Sequence, residues 1–436
     1  MIIIKIPSNN IEERSYAVKI VFDVFLGLKY DIKVESRNTT IIEWDNKAII
    51  ICDSFWNKGG ISIQNLPVVT YSKTDYILEE DIPVLYGDGY IKKKDNIIDC
   101  SIDVFASIFF MLTRWEEYVD KERDKANRYI GKNSIAYRNG FLHRPVVNEY
   151  VEMIWEMMIS LGYKEKRKVR NFEIVPTHDI DHPFVIDRFR ETSFNIKKAI
   201  ISKDLKSIPI YIKDYFVDSY NTYSFLMDVS ERAGIKSHFY FMSTSAAITE
   251  YKESPYLTKH YIDIVNSIRK RGHIVGIHPG FFSVLSNDKW EKEKIILEKF
   301  IGITPVEGRQ HFLRFSIPET FSFWEKNKME VDSTLSYHDV EGFRCGTGDS
   351  FPVYNFIEKK EYKLKERPLI LMDATLINYQ GYSLKKISET LDYYMKVGEK
   401  YHMPITLLFH NSIFIGYVGK KIKKIYSDLL LKYKSS

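Results

Sequence analysis

Past residue 170 the chain settles into a regular alternation. Apolar runs of strand length occur at 172–176, 236–242, 273–278, 307–312, 330–334, 369–376 and 405–410, and longer stretches with helical period at 261–270, 290–300, 384–397 and 418–433. Short buried runs alternating with one-faced helices are the pattern of a parallel sheet flanked by helices. The alternation therefore predicts an α/β fold with a mainly parallel sheet, long enough to form a (β/α) barrel. Parallel sheets gather ligands at the carboxyl ends of their strands, so the chemistry of such a chain is sought there.

Five of those ends carry polar or proton-transferring groups. They read Thr177-His178-Asp179-Ile180-Asp181-His182, Gly276-Ile277-His278-Pro279, Arg309-Gln310-His311-Phe312, Met372-Asp373-Ala374-Thr375 and Leu408-Phe409-His410-Asn411. Eleven histidines scattered at random over 436 residues would place one or two at strand ends and would rarely put charge-bearing groups on nearly all of them. Alternate residues of an extended segment point the same way, so Asp179 and Asp181 can share one pocket. The same spacing also suits a turn or a helix cap. If a divalent metal takes Asp181 and a histidine, Asp179 stays free to act as a general base on water.

These motifs resemble those of the NodB-homology polysaccharide deacetylases. Thr177-His178-Asp179-Ile180-Asp181 is similar to their first motif, and Gly272-His273-Ile274-Val275-Gly276-Ile277-His278 to their second. The resemblance implies Asp179 as catalytic base and Asp181 with His278 as metal ligands. Gly308-Arg309-Gln310-His311-Phe312-Leu313-Arg314 stands where those enzymes place an arginine that holds the base, which implicates Arg309. Ile370-Leu371-Met372-Asp373 and Thr406-Leu407-Leu408-Phe409-His410 resemble the fourth and fifth motifs, implicating Asp373 and making His410 the general acid. The similarity spans residues 172–412 with five motifs in the family's order. One position departs: four residues after His278, where the family has a second metal histidine, stands Phe282. His311 either replaces that ligand from a neighbouring strand, whose end lies about 5 Å away, or bonds substrate or backbone. The arrangement, with the segment Phe109-Phe110-Met111-Leu112-Thr113-Arg114-Trp115-Glu116-Glu117, resembles deacetylase-like proteins that carry their own N-terminal domain.

Ahead of that region, residues 12–28 have helical period and 30–34, 40–44 and 48–52 read as strands, which predicts a smaller N-terminal α/β domain. A helical segment at 103–161 follows. The basic stretch at 163–170 marks the boundary, giving domains of 1–165 and 171–436. A chain of this length exceeds one ordinary core. The loop Gly342-Phe343-Arg344-Cys345-Gly346-Thr347-Gly348-Asp349 lacks the Lys-Ser/Thr of a phosphate-binding loop and reads as a shaped rim loop. Arg344 is either a surface arginine or a contact to an anionic substrate group. His273 begins its strand and reads as structural; Cys345 has no evident adjacent base and is not expected to be a nucleophile.

Composition removes several function classes. The net charge of +5, from 63 basic and 58 acidic residues, is too small and too spread to hold a polyanion, so no nucleic-acid partner is expected. The lysines of 420–424 share a helical pattern and read as a solvated face. Three cysteines without a CxxC pair exclude a disulfide framework or a thiolate zinc site. The first residues lack the features of a signal peptide, and the longest apolar run, near 104–112, is far shorter than a membrane span; a cytoplasmic protein without a membrane span is expected. Aromatic residues at 14% suit either a large core or stacking under sugars. The resemblance implies a metal-dependent hydrolase, zinc most suited, that removes the acetyl group of an amino sugar or saccharide precursor in surface-polysaccharide metabolism. The alternatives are a carbohydrate-binding protein on the same fold without activity, and a hydrolase of a non-sugar amide.

Overall fold

The structure is a computed structural model that describes residues 1–185, 188–216, 218, 220–247 and 251–434; the nine residues outside this set all belong to the 171–436 domain of the sequence reading. The chain divides into two compact units, Met1–Arg170 with Ser316–Glu325 and Gly342–Pro368, and Asn171–Phe315 with Lys326–Glu341 and Leu369–Ser436.

The first unit is built on a mixed sheet. Its strands are β1 (Ile2–Pro7), β2 (Tyr30–Glu35), β3 (Thr39–Trp44), β4 (Lys47–Cys52), β5 (Thr70–Thr74), β6 (Ile77–Val84), β7 (Gly87–Lys94) and β8 (Ile97–Ile102). Six of them run in the order β2-β1-β3-β4-β8-β7, while β5 and β6 pair as a separate hairpin. In β1 the alternate Ile2, Ile4 and Ile6 are fully buried, as a half-covered strand requires. β1 and β2 are parallel, and their crossover is the helix Ile11–Lys19, which widens into a π-type turn at Ile20–Phe25. The helix Val104–Thr113 is buried along its whole length. Asp103 caps it, with Oδ1 accepting from the Ala106 N–H at 3.1 Å and Oδ2 from the Ser54 N–H at 2.8 Å.

The second unit carries β9 (Glu173–Ile180), β10 (His238–Phe241), β11 (Ile274–Ile277), β12 (Glu307–Gly308) and β13 (Val331–Asp332). The antiparallel pair β14 (Phe351–Asn355) and β15 (Lys360–Glu366) falls in the first unit, and β16 (Leu369–Met372) and β17 (Pro404–Leu408) complete the second. The second unit's strands run β13-β12-β11-β10-β9-β17-β16, every neighbouring pair parallel. Among the described residues no ladder continues past β16, so the curled sheet is a half-barrel rather than a closed ring. β9 is buried on both faces from Ile174 onward, as a central parallel strand must be. The helix Leu384–Tyr401 shows the packing logic: Ile387, Leu391, Tyr394, Met395 and Gly398 recur at helical spacing on the buried side, and the Ser383 hydroxyl accepts the Lys386 N–H at 3.2 Å as N-cap. Burying Leu391 and Met395 stabilises the fold by roughly 2 kcal/mol each.

Two segments of the region beyond 171, 316–325 and 342–368, cluster with the first unit. The glycine-rich loop is the reason. At Gly342 (φ 137°) a Cβ would lie 2.6 Å from the Leu142 carbonyl oxygen. Arg344 is buried against Glu117, its Nε 2.9 Å from Oε1, so it is neither a surface arginine nor a substrate contact. Cys345 is buried as well, and burial, with Glu366 nearby, pushes its thiol up, away from nucleophilic character.

Gly276 in β11 tests how tightly the half-barrel is wound. A Cβ there would stand 2.4 Å from the Glu307 carbonyl oxygen and 2.6 Å from Cδ1 of Tyr240. Gly276→Ala is therefore expected to destabilise the protein by about 1–3 kcal/mol, read as a lower midpoint in urea unfolding; an unshifted midpoint would show that the β10–β11–β12 register is looser than described.

Candidate functional site

The site grows from the carboxyl end of β9, where the strand's alternation sorts its side chains. Thr177, Asp179 and Asp181 share one side; His178 takes the other. The His178 Nδ1–H donates to the Phe409 carbonyl at 2.7 Å, and its Nε2 lies 3.3 Å from the Ser237 hydroxyl. Burial pulls this imidazole down to about 3, so it is neutral and structural. His182 turns to the Tyr256 hydroxyl, 3.0 Å from Nδ1.

Asp181, His278 and His311 converge. His278 Nε2 and His311 Nδ1 are 3.1 Å apart, and Asp181 Oδ1 lies 3.3 Å from the first and 3.4 Å from the second. Metal–ligand bonds of about 2.0–2.2 Å in tetrahedral array put ligand atoms about 3.3–3.6 Å apart. The three atoms thus form one face of such a tetrahedron and could hold a metal ion with a vertex left open. The surroundings fit that use. Asp181 Oδ1 and His311 Nε2 are buried without a hydrogen-bond partner. The His278 Nδ1–H donates to the Arg309 carbonyl at 2.6 Å, which leaves the Nε2 lone pair facing the cluster. Although burial opposes ionisation, His311 and His278 hold the Asp181 carboxyl well below its ordinary range. Burial lowers His311, whereas Asp179 and Asp181 outweigh burial at His278 and raise it.

His311 reaches this position through an unusual backbone. Its N–H donates to the Pro279 carbonyl at 3.0 Å, and the next two residues, Phe312 (φ 62°) and Leu313 (φ 53°), are both left-handed. Phe282 instead packs beside Phe281, with ring centroids 5.2 Å apart, and contributes nothing to the cluster.

Asp179 stands beside the triad under the control of Arg309. The fully buried guanidinium donates through Nη1 to Asp179 Oδ1 at 2.9 Å and to the Thr177 hydroxyl at 2.8 Å, and through Nε and Nη2 to the Ser333 carbonyl (2.7 Å) and hydroxyl (2.9 Å). Asp179 Oδ2 remains 3.8 Å from His278 Nε2. Removing one member of such a buried pair typically costs about 3–5 kcal/mol.

His410 and Asp373 form a second unit of chemistry at the ends of β17 and β16. Asp373 Oδ1 accepts the His410 Nδ1–H at 2.8 Å, and Oδ2 accepts the backbone N–H of His410 at 2.8 Å. Nε2 is left to point elsewhere. Burial works against the imidazolium, but Asp373, Asp181 and Asp179 outweigh it and push His410 up to about 10.

The structure therefore brings together Asp181, His278 and His311, pairs Asp179 with Arg309, and pairs His410 with Asp373. Sequence reasoning missed the groups that hold these in place. Ser333 and Thr334 follow β13, a strand end that none of the five sequence motifs covers, and anchor Arg309 and the Gln310 N–H (2.9 Å) respectively. Glu293, from the helix Asn287–Ile301, accepts the Gly280 N–H at 2.5 Å and the Thr244 hydroxyl at 3.2 Å, bracing the turn after His278. Only their tertiary neighbours mark them.

Residues 2–163 match a family of unknown function, DUF7033. Comparison with functionally curated proteins returned no match. Among solved structures, a protein of Mycobacterium smegmatis assigned to the polysaccharide deacetylases is similar at 13% identity and a TM-score of 0.39, over 61% of this chain and 86% of that one. A protein of Pseudomonas aeruginosa PAO1 with the same assignment is similar at 12% identity and a TM-score of 0.35, over 49% and 67%. The polysaccharide deacetylase Bc1974 of Bacillus cereus is similar at 10% identity and a TM-score of 0.28, over 61% and 87%.

The His410–Asp373 pair generates a pH prediction. The folded pKa lies above the ordinary imidazole value, so the pair's stabilisation is fully present below about pH 6.5 and is lost as pH rises through about 10. Asp373→Asn should bring the His410 NMR titration back toward its ordinary midpoint, and the stability gap from wild type should narrow at alkaline pH. A wild-type midpoint near 6.5 would refute the assignment.

Proposed function

We propose that this chain is a metal-dependent amide hydrolase that removes an acetyl group from an amino sugar or a saccharide precursor. The observation that carries the reading is the triangle of Asp181, His278 and His311 donor atoms at the spacing of one coordination face. The mixed carboxylate and imidazole set suits zinc, which accepts three protein ligands plus one exchangeable position. Bound there, the ion would supply a Lewis acid for the amide carbonyl and acidify water. The order of five motifs similar to those of polysaccharide deacetylases supports hydrolysis of an acetylated amine, with the substrate beyond the acetyl group set by the rim loops.

The remaining roles follow from the chain's own geometry. Arg309 occupies Asp179 Oδ1 and holds the carboxylate in orientation, so Oδ2 is free to take a proton from water as the water oxygen bonds to the acetyl carbon. His410, protonated across the neutral range and held through Nδ1 by Asp373, presents its Nε2 proton to the leaving nitrogen as the C–N bond breaks. Acetate and the free amine result.

Elemental analysis of protein reconstituted with zinc and desalted tests the metal, and acetate release from N-acetylated hexosamines tests the chemistry. One zinc per chain is expected in wild type and in Phe282→Ala, with zinc lost in Asp181→Ala and His311→Ala. Asp179→Asn and His410→Ala should each retain zinc and lose about 10²–10⁴-fold in kcat. Wild-type protein that holds no divalent ion after reconstitution would point instead to a carbohydrate-binding protein without catalysis.

A further inference from the structure

The connection that leaves the carboxyl end of β9 and rejoins the half-barrel at the helix Tyr223–Arg232 has no part in the chemistry above, yet its surface is unlike the rest of the chain. It contains the helices Arg188–Ile201 and Ile208–Asp214. Over residues 189–216 eight large apolar side chains face solvent: Phe189 (72% exposed), Phe194 (61%), Ile200, Ile201 (73%), Leu205, Ile212, Tyr215 and Phe216 (75%). Soluble proteins rarely leave such a concentration uncovered without a partner for it.

The arrangement on the first helix is informative. At 100° per residue, Phe189, Ile200, Ile201 and Phe194 fall within an arc of about 140°. Arg190 and Lys197 project within the same arc and Lys198 lies about 40° beyond it, while Ala199 is buried on the opposite side. Apolar groups interleaved with long cationic side chains suit a surface whose interior is apolar and whose rim is anionic, because the lysine stems can lie along the apolar phase while their ammonium groups meet the charge. A protein partner that buried these lysines would have to desolvate each one. The segment 189–216 holds six Lys/Arg against three Asp/Glu.

A second element extends the same charge. The helix Gly416–Lys432 begins against this connection: the Tyr417 N–H donates to the Ser207 hydroxyl at 3.0 Å, and Lys206 and Lys421 flank the Tyr417 ring at 5.8 and 5.5 Å. Lys420, Lys421 and Lys424 are exposed on it. The exposed lysine face expected from the sequence thus adjoins the apolar surface, with Lys424 paired to Asp428 at 2.6 Å and Lys421 beside the Tyr417 ring.

We infer that the 189–216 connection, with the lysines of 420–424, is a membrane-surface binding face that docks this protein on an anionic lipid bilayer. The connection starts and ends at the edge that carries the candidate metal centre: the Tyr223 hydroxyl donates to the Pro183 carbonyl at 2.8 Å, and Asn411 Nδ2 donates to the carbonyls of His182 (2.9 Å) and Tyr220 (3.1 Å). The inference does not rest on the hydrolase reading, since it uses none of the metal or proton-transfer residues.

Co-sedimentation of the full chain with vesicles tests it, comparing equimolar phosphatidylglycerol and phosphatidylcholine with phosphatidylcholine alone. The wild type is expected to pellet with the anionic vesicles, to bind neutral ones weakly, and to be released as salt rises. Phe189→Ser with Phe194→Ser and Ile201→Ser, and separately Lys197→Glu with Lys198→Glu, should each weaken binding about tenfold or more, a loss of about 1.4 kcal/mol, with an unchanged circular dichroism spectrum. These side chains are exposed, so the fold does not depend on them. No pelleting of wild type with anionic vesicles overturns the inference, as does equal pelleting of both variants. A concentration-dependent dimer abolished by the apolar substitutions, without vesicle binding, would assign the surface to a second copy of the chain.

Discussion

The Arg309 guanidinium is the interaction on which the candidate site depends. It is fully buried, and a buried cation persists only when its donors are satisfied. Those donors reach β9 through Thr177 and Asp179 and the segment after β13 through Ser333, so one charge ties together strands that are not neighbours. Its own carbonyl receives the His278 Nδ1–H and thereby sets which nitrogen of that ring faces the cluster. The Tyr240 ring lies 5.2 Å from the guanidinium and is itself packed against the bare Cα of Gly276. One satisfied cation thus holds the Asp179 carboxylate, the His278 ring and the segment after β13 in place.

Around that cation, chemically identical imidazoles acquire different characters. His178 has no carboxylate close enough to offset burial and is held neutral. His278 sits between two carboxylates, and their attraction exceeds the cost of desolvation. His410 is carried furthest, because Asp373 grips both its ring and its backbone N–H. Burial is common to all three; the number and proximity of carboxylates differ. The same site thus holds imidazoles of opposite tendency, His311 lowered by burial and His278 and His410 raised by their carboxylates.

The first unit solves a different problem. Its interior is rich in aromatic rings, and its buried charges close on one another: Arg114 on Glu116 and Glu117, Arg344 on Glu117, Arg14 on Asp53. No group of three metal-competent side chains occurs there among the described residues. The Asp181, His278 and His311 cluster and the exposed apolar surface of 189–216 both belong to the second unit, where the connection after β9 joins them.

The sequence alone determined the α/β class, the parallel order of chemistry-bearing strand ends and the identity of the residues at them, because hydrophobic period and the direction of a parallel strand are local properties. It also marked Phe282 as a broken ligand position and His311 as a candidate replacement. It did not decide between ligand and bystander for His311, nor reveal Ser333, Glu293 and the first unit's claim on 342–368. Those follow from long-range placement: two consecutive left-handed residues turn His311 back toward β11, and Arg344 reaches a glutamate 227 positions earlier in the chain. Distances between residues far apart in sequence are fixed by packing, and only packing could bring three donor atoms to the spacing of one coordination face.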